Sequence, residues 1–337
     1  MDTNDIKLNH FSDGLSLADS VVSFDSLETS KVSFLSSALL VRGRKKVTTS
    51  LIRSVETSKL FLSQKIQVEN GLNCQFNRPF SVGPLKLELL PAGSILGSSS
   101  LYLEHEGQRI LYSPAAMPQK SPIVRRMQLK KSDILILPAT LKNIRKKIAS
   151  KKKEKERLLD KVQDFKIKNG IYPIVAAPKL GASQEIIHLL SEQSIPVEVH
   201  AQTHRITRTY EDMGFEIGTY KKLTKRSKND AVRIIPLTPA TISEHAQMLD
   251  RLIVVEQHLN QCDTYESILE KDQFYILSVE PDGQELKEIV TAVRPKRVLV
   301  FGNYIQSYLQ EFGHIPEKME PVYMNNQPPL IDASLTF

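Results

Sequence analysis

The strongest constraint on the fold is an alternation of strand and helix patterns through the second half of the sequence. Residues 132–140, SDILILPAT, carry a continuous isoleucine and leucine run, which is typical of a strand that is buried on both faces. Apolar runs at residues 171–178 and 231–240 predict further strands, and residues 181–193 between them predict a helix. Because strands that alternate with helices form parallel sheets covered by helices, the sequence predicts an α/β fold.

Short β-prone segments separated by polar turns fill the first third of the chain. Strands are predicted at residues 85–90, 99–104 and 109–113. Glu106 and Gly107 lie between the last two of these and form a typical hairpin turn pair. The sequence therefore predicts a β-hairpin at this point.

Positive charge is concentrated in one segment. The formal net charge is +7, but residues 142–168 hold 12 lysines and arginines against 4 acidic residues, a local excess of +8 that leaves −1 for the rest of the chain. A long helix is predicted from residue 141 to residue 168, and residues 220–230 form a second basic segment. Such a charge run is either the electrostatic footprint of a phosphate-binding surface or the solvated face of a lysine-rich helix.

Cysteine usage and the N-terminal sequence bear on the compartment. Cys74 and Cys262 lie far apart and form no CxxC pair, which is typical of a reducing interior and excludes a cysteine-based zinc site. Residues 1–14 lack the basic and apolar regions of a signal peptide, and the apolar run at residues 32–41 is too short to span a bilayer. We expect an intracellular protein without a membrane partner, in the cytoplasm or with the nucleoid or nucleus.

Four blocks of sequence resemble, in order, one family of nucleases. Residues 89–113 are similar to a block in which Pro-Ala-Gly-His precedes Leu-Gly-Ser and two strands, and residues 130–140 are similar to a strand that ends in Glu-Ala-Thr or Glu-Ser-Thr. Residues 171–190 resemble a strand and helix with the pattern Leu-Gly-Arg-Ala-Gln-Glu. Residues 274–302 resemble a closing strand, helix and strand that carry Ser-Asp-His-Ala-Asp and a later His-Gly. The family is the β-CASP group of metallo-β-lactamase-fold nucleases, and the sequence looks most like its bacterial ligase-associated DNA exonucleases.

This resemblance implies a fold and a division of the chain. The expected fold is an α/β fold of the metallo-β-lactamase type, an αββα sandwich with a small α/β insertion of the β-CASP type over the active-site edge. Residues 1–168 and 236–337 would form the sandwich as a discontinuous domain, and residues 169–235 would form the insertion.

The resemblance also implies where metal ligands should stand. The family uses one or two zinc ions, held by imidazoles and carboxylates at strand ends, to generate hydroxide and polarise a phosphodiester. Its His-x-His-x-Asp-His cluster corresponds to residues 31–46, which contain no histidine or aspartate. Its other ligand positions hold Ser94, Ala115, Pro138, Glu280 and Phe301.

These replacements remove the metal chemistry of the family. Alanine, proline and phenylalanine side chains have no ligand atom and a serine hydroxyl is a poor zinc ligand, whereas the preceding Pro91, Ala92 and Gly93 are retained. The eight histidines are scattered, and the sequence has no HExxH, GxSxG, P-loop or GxGxxG motif. We predict a chain without a metal site, without a cofactor and without the family's catalytic residues.

The leading functional hypothesis is an inactive pseudonuclease that binds nucleic acid, DNA or RNA, or serves as an assembly subunit in DNA repair or RNA processing. The two basic segments flank the predicted insertion, and lysines there would contact phosphate without reading sequence. The candidate contacts are Arg145, Lys146, Lys147, Lys151, Lys152, Lys153, Lys221, Lys222, Lys225 and Arg226.

Two other hypotheses stay open at this point. One is a purely protein-binding scaffold that pairs with an active paralogue, a helicase or a ligase, so that a protein partner in a processing complex is expected. The other is a residual nuclease or phosphoesterase with a site outside the family pattern, for which Glu280 and Asp282 are the acidic candidates.

Overall fold

The computed structural model describes residues 6–11, 14–18, 20–29, 31–145, 148–226, 229–261, 272–312 and 318–322. The N-terminal region contributes the strands β1 (Leu8–Phe11), β2 (Gly14–Leu17), β3 (Val22–Phe24), β4 (Val32–Phe34), β5 (Lys46–Val47), β6 (Leu51–Ser54), β7 (Gln67–Val68), β8 (Gly71–Cys74) and β9 (Phe80–Val82), and the helix α1 (Val55–Gln64). The next region contributes β10 (Leu85–Pro91), β11 (Ser99–His105), β12 (Gln108–Tyr112) and β13 (Ile134–Pro138).

Strands and helices alternate in the remainder of the chain. They are α2 (Lys151–Asn169), β14 (Ile174–Ala177), α3 (Ala182–Glu192), β15 (Val197–Val199), α4 (Ala201–Asp212), β16 (Lys221–Lys222), β17 (Val232–Pro236), α5 (Pro239–Glu244), β18 (Leu252–Glu256), β19 (Phe274–Ile276), α6 (Gly283–Val293), β20 (Arg297–Phe301), α7 (Ile305–Phe312) and β21 (Lys318–Val322). The predicted α/β class is confirmed.

Two mixed sheets form the body of the molecule. The first has the strand order β1-β2-β3-β4-β6-β8, and the second has the order β21-β20-β13-β12-β11-β10-β9. In the second sheet β9 to β12 pair antiparallel, whereas β12, β13, β20 and β21 pair parallel. The predicted hairpin is confirmed, because Glu106 and Gly107 join β11 to β12 and both have positive φ.

The two mixed sheets pack face to face, and helices cover their outer faces. Leu15 and Phe24 of the first sheet share one buried cluster with Ile136 of the second. Leu135 and Leu137 point to the opposite face, where they pack with α6 and α7. Because neighbouring residues of a strand face opposite sides, β13 is buried on both faces, as its continuous apolar run predicts.

The third sheet is parallel and has the order β16-β15-β17-β14-β18-β19. α2, α3 and α4 cover one of its faces, and Tyr210 of α4 shares a hydrophobic cluster with Leu60 of α1. The third sheet therefore lies against the helical side of the first sheet. It includes β18 and β19, which follow the predicted insertion of residues 169–235 in the chain.

The predicted helix over residues 141–168 begins later than expected. α2 starts at Lys151, with the hydroxyl of Ser150 accepting a hydrogen bond from the amide of Lys153 as its N-cap. The preceding chain packs irregularly, since Ile144 is buried against α6 and the amide of Lys142 donates to Asn260. None of the helices in the described part of the chain is long and apolar enough to cross a bilayer.

The second sheet has one further strand late in the chain. Residues 318–322 form β21, which extends the second sheet parallel to β20. Arg297 of β20 and Glu320 of β21 form an ion pair of 2.7 Å, which holds the added strand in place. Proline at position 321 does not prevent pairing because β21 is an edge strand.

Candidate functional site

The carboxyl ends of four strands of the second sheet meet at one edge. β10 and β12 run in the same direction because each pairs antiparallel with β11, and β12, β13 and β20 are parallel. The loops that follow these four strands therefore leave the sheet on the same side. In sheets with parallel strands such an edge is the usual place for a binding site.

A cavity of about 540 Å³ lies at this edge. Its lining includes all five positions at which the sequence resemblance placed missing metal ligands: Ser94, Ala115, Pro138, Glu280 and Phe301. They come from five separate segments of the chain, and the topology brings them to one cavity.

The loop that carries Ser94 has a backbone that requires glycine. Gly93 has a φ of +86°, and a Cβ atom there would lie 2.7 Å from the carbonyl oxygen of Met117. The amide of Met117 donates to the carbonyl of Ala92 at 2.7 Å, so the loop after β10 is tied to the loop after β12. The fold therefore requires glycine at position 93, because the close approach of the Met117 carbonyl leaves no room for a side chain.

Ser94 is held within this edge by a direct hydrogen bond. Its hydroxyl donates to the carbonyl oxygen of Val279 at 2.7 Å, and its amide donates to the hydroxyl of Ser98 at 3.1 Å. Ser94 is only 5% exposed. The hydroxyl at this position thus joins the loop after β10 to the segment between β19 and α6.

Glu280 is engaged by neighbouring protein groups. One carboxylate oxygen lies 2.9 Å from Nδ1 of His258, and the other accepts the backbone amide of Leu259 at 3.2 Å. Both contacts come from the segment after β18. The carboxylate of Glu280 therefore joins two loops at the cavity and orients the imidazole of His258.

A buried carboxylate, Asp25, forms a third polar contact in the cavity. It accepts the amide and the hydroxyl of Ser36, both at 2.7 Å, and the hydroxyl of Tyr112 at 2.8 Å. Burial raises the pKa of Asp25 to about 6, although these three hydrogen bonds favour the ionised form. Burial and the neighbouring carboxyl raise the pKa of Tyr112 as well.

Three of the five positions, Ala115, Pro138 and Phe301, hold apolar residues. The ring of Phe301 packs edge-on against the imidazole of His10, with ring centroids 5.5 Å apart, and is tilted against Tyr112 at 6.1 Å. The carbonyl of Phe301 accepts the amide of Ala139, which ties the end of β20 to the end of β13. The aromatic ring of Phe301 thus stands where the resemblance implies the histidine of a His-Gly pair.

The residues at the cavity do not fit the zinc centre that the resemblance implies. Ala115, Pro138 and Phe301 provide no ligand atom, and the hydroxyl of Ser94 is already bonded to a carbonyl. Within the described ranges no three histidine, cysteine or acidic side chains are grouped so that they could hold a metal ion. The described side chains at this site therefore do not provide the ligands that zinc-dependent hydrolysis needs.

The basic residues of the first segment lie on and before α2. Arg145 is exposed and forms an ion pair of 2.8 Å with Glu311, and Lys146 and Lys147 lie outside the described residues. Lys152 and Lys153 are exposed on the first turn of α2. α2 packs against β19, at one edge of the third sheet.

Lys151 is placed differently from its neighbours. Its side chain is 4% exposed, and its ammonium lies 3.7 Å from the carboxylate of Glu185, which also binds Lys155. Burial lowers the pKa of Lys151. Its ammonium is thus directed into the protein, away from the surface on which a phosphate would approach.

The second basic segment lies at the other edge of the third sheet. Lys221 and Lys222 form β16, and Lys225 and Arg226 follow in an exposed turn, while Lys228 lies outside the described residues. Six strands at a spacing of about 4.8 Å separate the two edges by about 24 Å. The structure therefore does not bring the two predicted basic segments together as one patch.

Sequence reasoning did not single out Asp25 or His258 as residues of the cavity. Asp25 has a left-handed φ of 56°, which is uncommon for a residue other than glycine, but no sequence motif marks it. His258 was one of several scattered histidines, and its partner Glu280 is brought close only by the parallel pairing of β18 and β19.

Comparison with known proteins finds a relative in sequence and similar folds among solved structures. No family model matches the sequence. A probable DNA ligase from Opitutus terrae is 25% identical over 244 residues, covering 66% of this chain and 22% of that protein, so the chain spans only about a fifth of that relative's length. A solved structure of a protein of unknown function from Enterococcus faecalis V583 covers 88% of this chain and 80% of its own, with a TM-score of 0.55 and 12% identity, a likeness of fold alone.

Proposed function

We propose that the chain is a degenerate member of the metallo-β-lactamase-fold β-CASP group that binds nucleic acid without cleaving it, as a subunit in DNA processing. In this proposal the first two sheets and their helices are the αββα sandwich, and the third sheet with α2 to α5 is the insertion. The division of the chain would then differ from residues 169–235 by including α2 before them and α5, β18 and β19 after them.

The observation that carries the proposal is the convergence of five replaced positions on one cavity. The sequence resemblance selected Ser94, Ala115, Pro138, Glu280 and Phe301 before any spatial information, and all five line the same 540 Å³ space. An accidental match of strand and helix patterns gives no reason for five distant residues to meet. The convergence supports descent from a fold with a catalytic centre at this edge.

The contacts of the two acidic candidates argue against residual hydrolysis. Glu280 is occupied by His258 and by the amide of Leu259. Asp282 is the N-cap of α6, where its carboxylate accepts the amide of Glu285 at 2.9 Å. The two acidic candidates for a residual hydrolase therefore already have partners within the protein.

The similarity to a probable DNA ligase supports a role in DNA metabolism. That relative is more than four times as long as the matched part, since the match covers 22% of it. The exposed cations on α2 and β16 add surfaces that a phosphate backbone could approach from either edge of the third sheet.

A salt-titrated binding assay tests this function. Fluorescence anisotropy of labelled single-stranded DNA, duplex DNA and RNA is measured with the full chain between about 50 and 200 mM salt. We expect binding, and the logarithm of the binding constant should fall linearly with the logarithm of the salt concentration. Lys221→Gln with Lys222→Gln should weaken binding, whereas Lys86→Gln with Lys131→Gln removes equal charge from exposed positions on or next to the second sheet and serves as control.

Strand integrity is followed on gels in the same samples with zinc, manganese or magnesium added. The proposal expects the labelled strands to remain intact. Absence of binding at low salt would reject the nucleic-acid role, and metal-dependent cleavage that a chelator abolishes would reject the inactive centre.

A further inference from the structure

A cationic cluster without carboxylate partners among the described residues lies beside the cavity, outside the two basic segments that the sequence indicates. It consists of Arg42, Lys179, His200 and Arg205, and we call these four residues the edge cluster. Lys179 follows β14, His200 follows β15, and Arg205 lies on the second turn of α4. Arg42 follows the short 3-10 helix Ala38–Val41, whose Leu39 and Leu40 line the cavity.

Packing of the adjacent residues brings the edge cluster together. Each member has a chain neighbour in one hydrophobic cluster, and these neighbours are Val41, Leu180, Val199 and Ile206. β14 and β15 both pair with β17 in parallel, so their carboxyl ends lie at the same edge of the third sheet. Lys179 and His200 therefore stand at the same edge of the sheet, and the backbones of all four residues border one hydrophobic core.

Hydrogen bonds fix the loop of Lys179 against α4. The side-chain amide of Gln184 donates to the carbonyl of Lys179 at 3.1 Å and to the hydroxyl of Thr207 at 3.0 Å. Gln184 is fully buried. The edge cluster is thus built on a rigid junction between α3 and α4.

The described part of the chain supplies no counter-charge for the cations of the edge cluster. Within the described residues, no carboxylate forms an ion pair with the side chains of Arg42, Lys179 or Arg205. Burial lowers the pKa of the half-buried Lys179, and the positive charges of Arg42 and Arg205 lower it further. Like charges held together in this way repel one another, so an anion would be attracted to the position between them.

His200 adds a hydrogen-bond donor to these charges. Its Nδ1 accepts the amide of Gln202 as the N-cap of α4, so in the neutral ring Nε2 carries the proton. Burial and the cations Arg205 and Lys179 lower the pKa of His200, which favours that neutral form. The N-terminus of the 12-residue helix α4 adds a partial positive charge at the same point.

Positive charge continues from the edge cluster toward β16. Burial lowers the pKa of His204, and the cations Lys222 and Arg208 lower it further, which places them near the same face of α4. Arg208 is partly neutralised by Glu211 at 2.8 Å, whereas Lys222 is exposed. The cations therefore follow the carboxyl edge of the third sheet from Arg42 to Lys222, which fits an extended polyanion better than a single small anion.

We propose that Arg42, Lys179, His200 and Arg205 form a phosphodiester-binding site that holds one strand of nucleic acid along the carboxyl edge of the third sheet, beside the cavity. This inference rests on the proposed nucleic-acid role and assigns its principal contact surface. Contacts of this kind bind the backbone and do not read base sequence.

The test compares Lys179→Gln/Arg205→Gln with the matched double variant Arg78→Gln/Lys86→Gln in the full chain. Both remove one lysine and one arginine, and the control residues are exposed on or next to the far side of the second sheet. The probe is a fluorescein-labelled single-stranded DNA oligonucleotide in a salt series. Each lost phosphate contact should reduce the steepness of the log–log salt dependence by about 0.7.

We expect the edge-cluster variant to lose about 1.4 of that slope and to bind about tenfold more weakly at low salt, with the control unchanged. Thermal unfolding of both variants should match the wild type, because none of the four substituted cations forms an ion pair with a carboxylate of the described residues. Equal binding by the edge-cluster variant and the control, while the wild type binds DNA, would overturn this site and leave the proposed function standing. Lack of wild-type binding to DNA and RNA would instead overturn the function itself, and with it this site.

Discussion

The hydroxyl of Ser94 donates a 2.7 Å hydrogen bond to the carbonyl oxygen of Val279, which lies 185 residues further along the chain. The bond connects the loop after β10 with the loop that leads into α6, two segments that both line the cavity. In a nuclease of the proposed ancestry, a metal ion would connect these segments through its ligands. Here a direct protein contact connects them.

Substitution of Ser94 tests the structural importance of that contact. Ser94→Ala removes the donor to a carbonyl inside the protein, and we expect a loss of about 1 to 3 kcal/mol in the free energy of unfolding by urea. Ser63→Ala is the control, because the half-buried Ser63 only donates back to the carbonyl of Leu60 within α1. Equal small effects of both substitutions would show that the Ser94 hydroxyl does not connect the two loops.

The raised pKa of Asp25 should make the folded protein less stable as the pH rises. Its pKa is raised by burial from 3.8 to about 6, so the folded protein binds this proton more tightly than the unfolded chain. The resulting stabilisation is complete below about pH 4 and is lost as the pH rises through about 6. A shift of about 2 units corresponds to about 3 kcal/mol.

The variant Asp25→Asn isolates this effect because its side chain does not titrate. We predict that the free energy of unfolding of the wild type minus that of the variant falls by up to about 3 kcal/mol between pH 4 and pH 7. Urea unfolding at several pH values measures it. A difference that stays constant over this range would contradict the raised pKa.

The ion pairs of Glu185 provide a prediction about burial. Glu185→Gln leaves the buried ammonium of Lys151 without its counter-ion, and we expect a cost of about 3 to 5 kcal/mol in the free energy of unfolding. Lys151→Met should cost less, because Glu185 keeps Lys155 as a partner.

Lys152→Met is the matched control for that pair of variants. Lys152 is 86% exposed, and its substitution should change stability by no more than about 0.5 kcal/mol. If Lys151→Met and Lys152→Met have the same effect on stability, Lys151 is a surface lysine and its assignment to the interior is wrong.

Asp282 is expected to act as a helix cap. Asp282→Ala should lower the free energy of unfolding by about 1 kcal/mol because it removes the N-cap acceptor of α6, whereas Asp282→Asn keeps a good cap and should be close to neutral. Calorimetric unfolding of the two variants makes the comparison. Equal losses in the two variants would contradict the cap role and favour a role that needs the negative charge.

Local patterns in the sequence predicted much of the fold, because they follow from residue periodicity. The apolar run of β13 indicated a strand buried on both faces, and the Glu106-Gly107 pair indicated a hairpin. The start of α2 was misjudged because the helical spacing of Ile144 and Ile148 continues before the Ser150 cap, while tertiary contacts hold that segment in an irregular conformation.

The candidate site was less accessible from sequence. Position 94 could be predicted because the Pro-Ala-Gly sequence before it resembles a family block. The structure shows that Gly93 has a backbone conformation that few other residues adopt. The pairing of Glu280 with His258 depends on how two strands are arranged in the third sheet. Arg42 lies near enough to Lys179 to lower its pKa, although more than a hundred residues separate them in the chain. No local sequence pattern predicts such proximity.

The most direct test of the central claim, that this cavity does not form a metal centre, is the zinc content of the purified chain. The protein is equilibrated with zinc, desalted and analysed by plasma mass spectrometry alongside a buffer blank. We predict far less than one zinc ion per chain, since Ser94, Ala115, Pro138 and Phe301 provide no competent ligand set. One or two zinc ions per chain that are lost on Glu280→Gln substitution would contradict the claim.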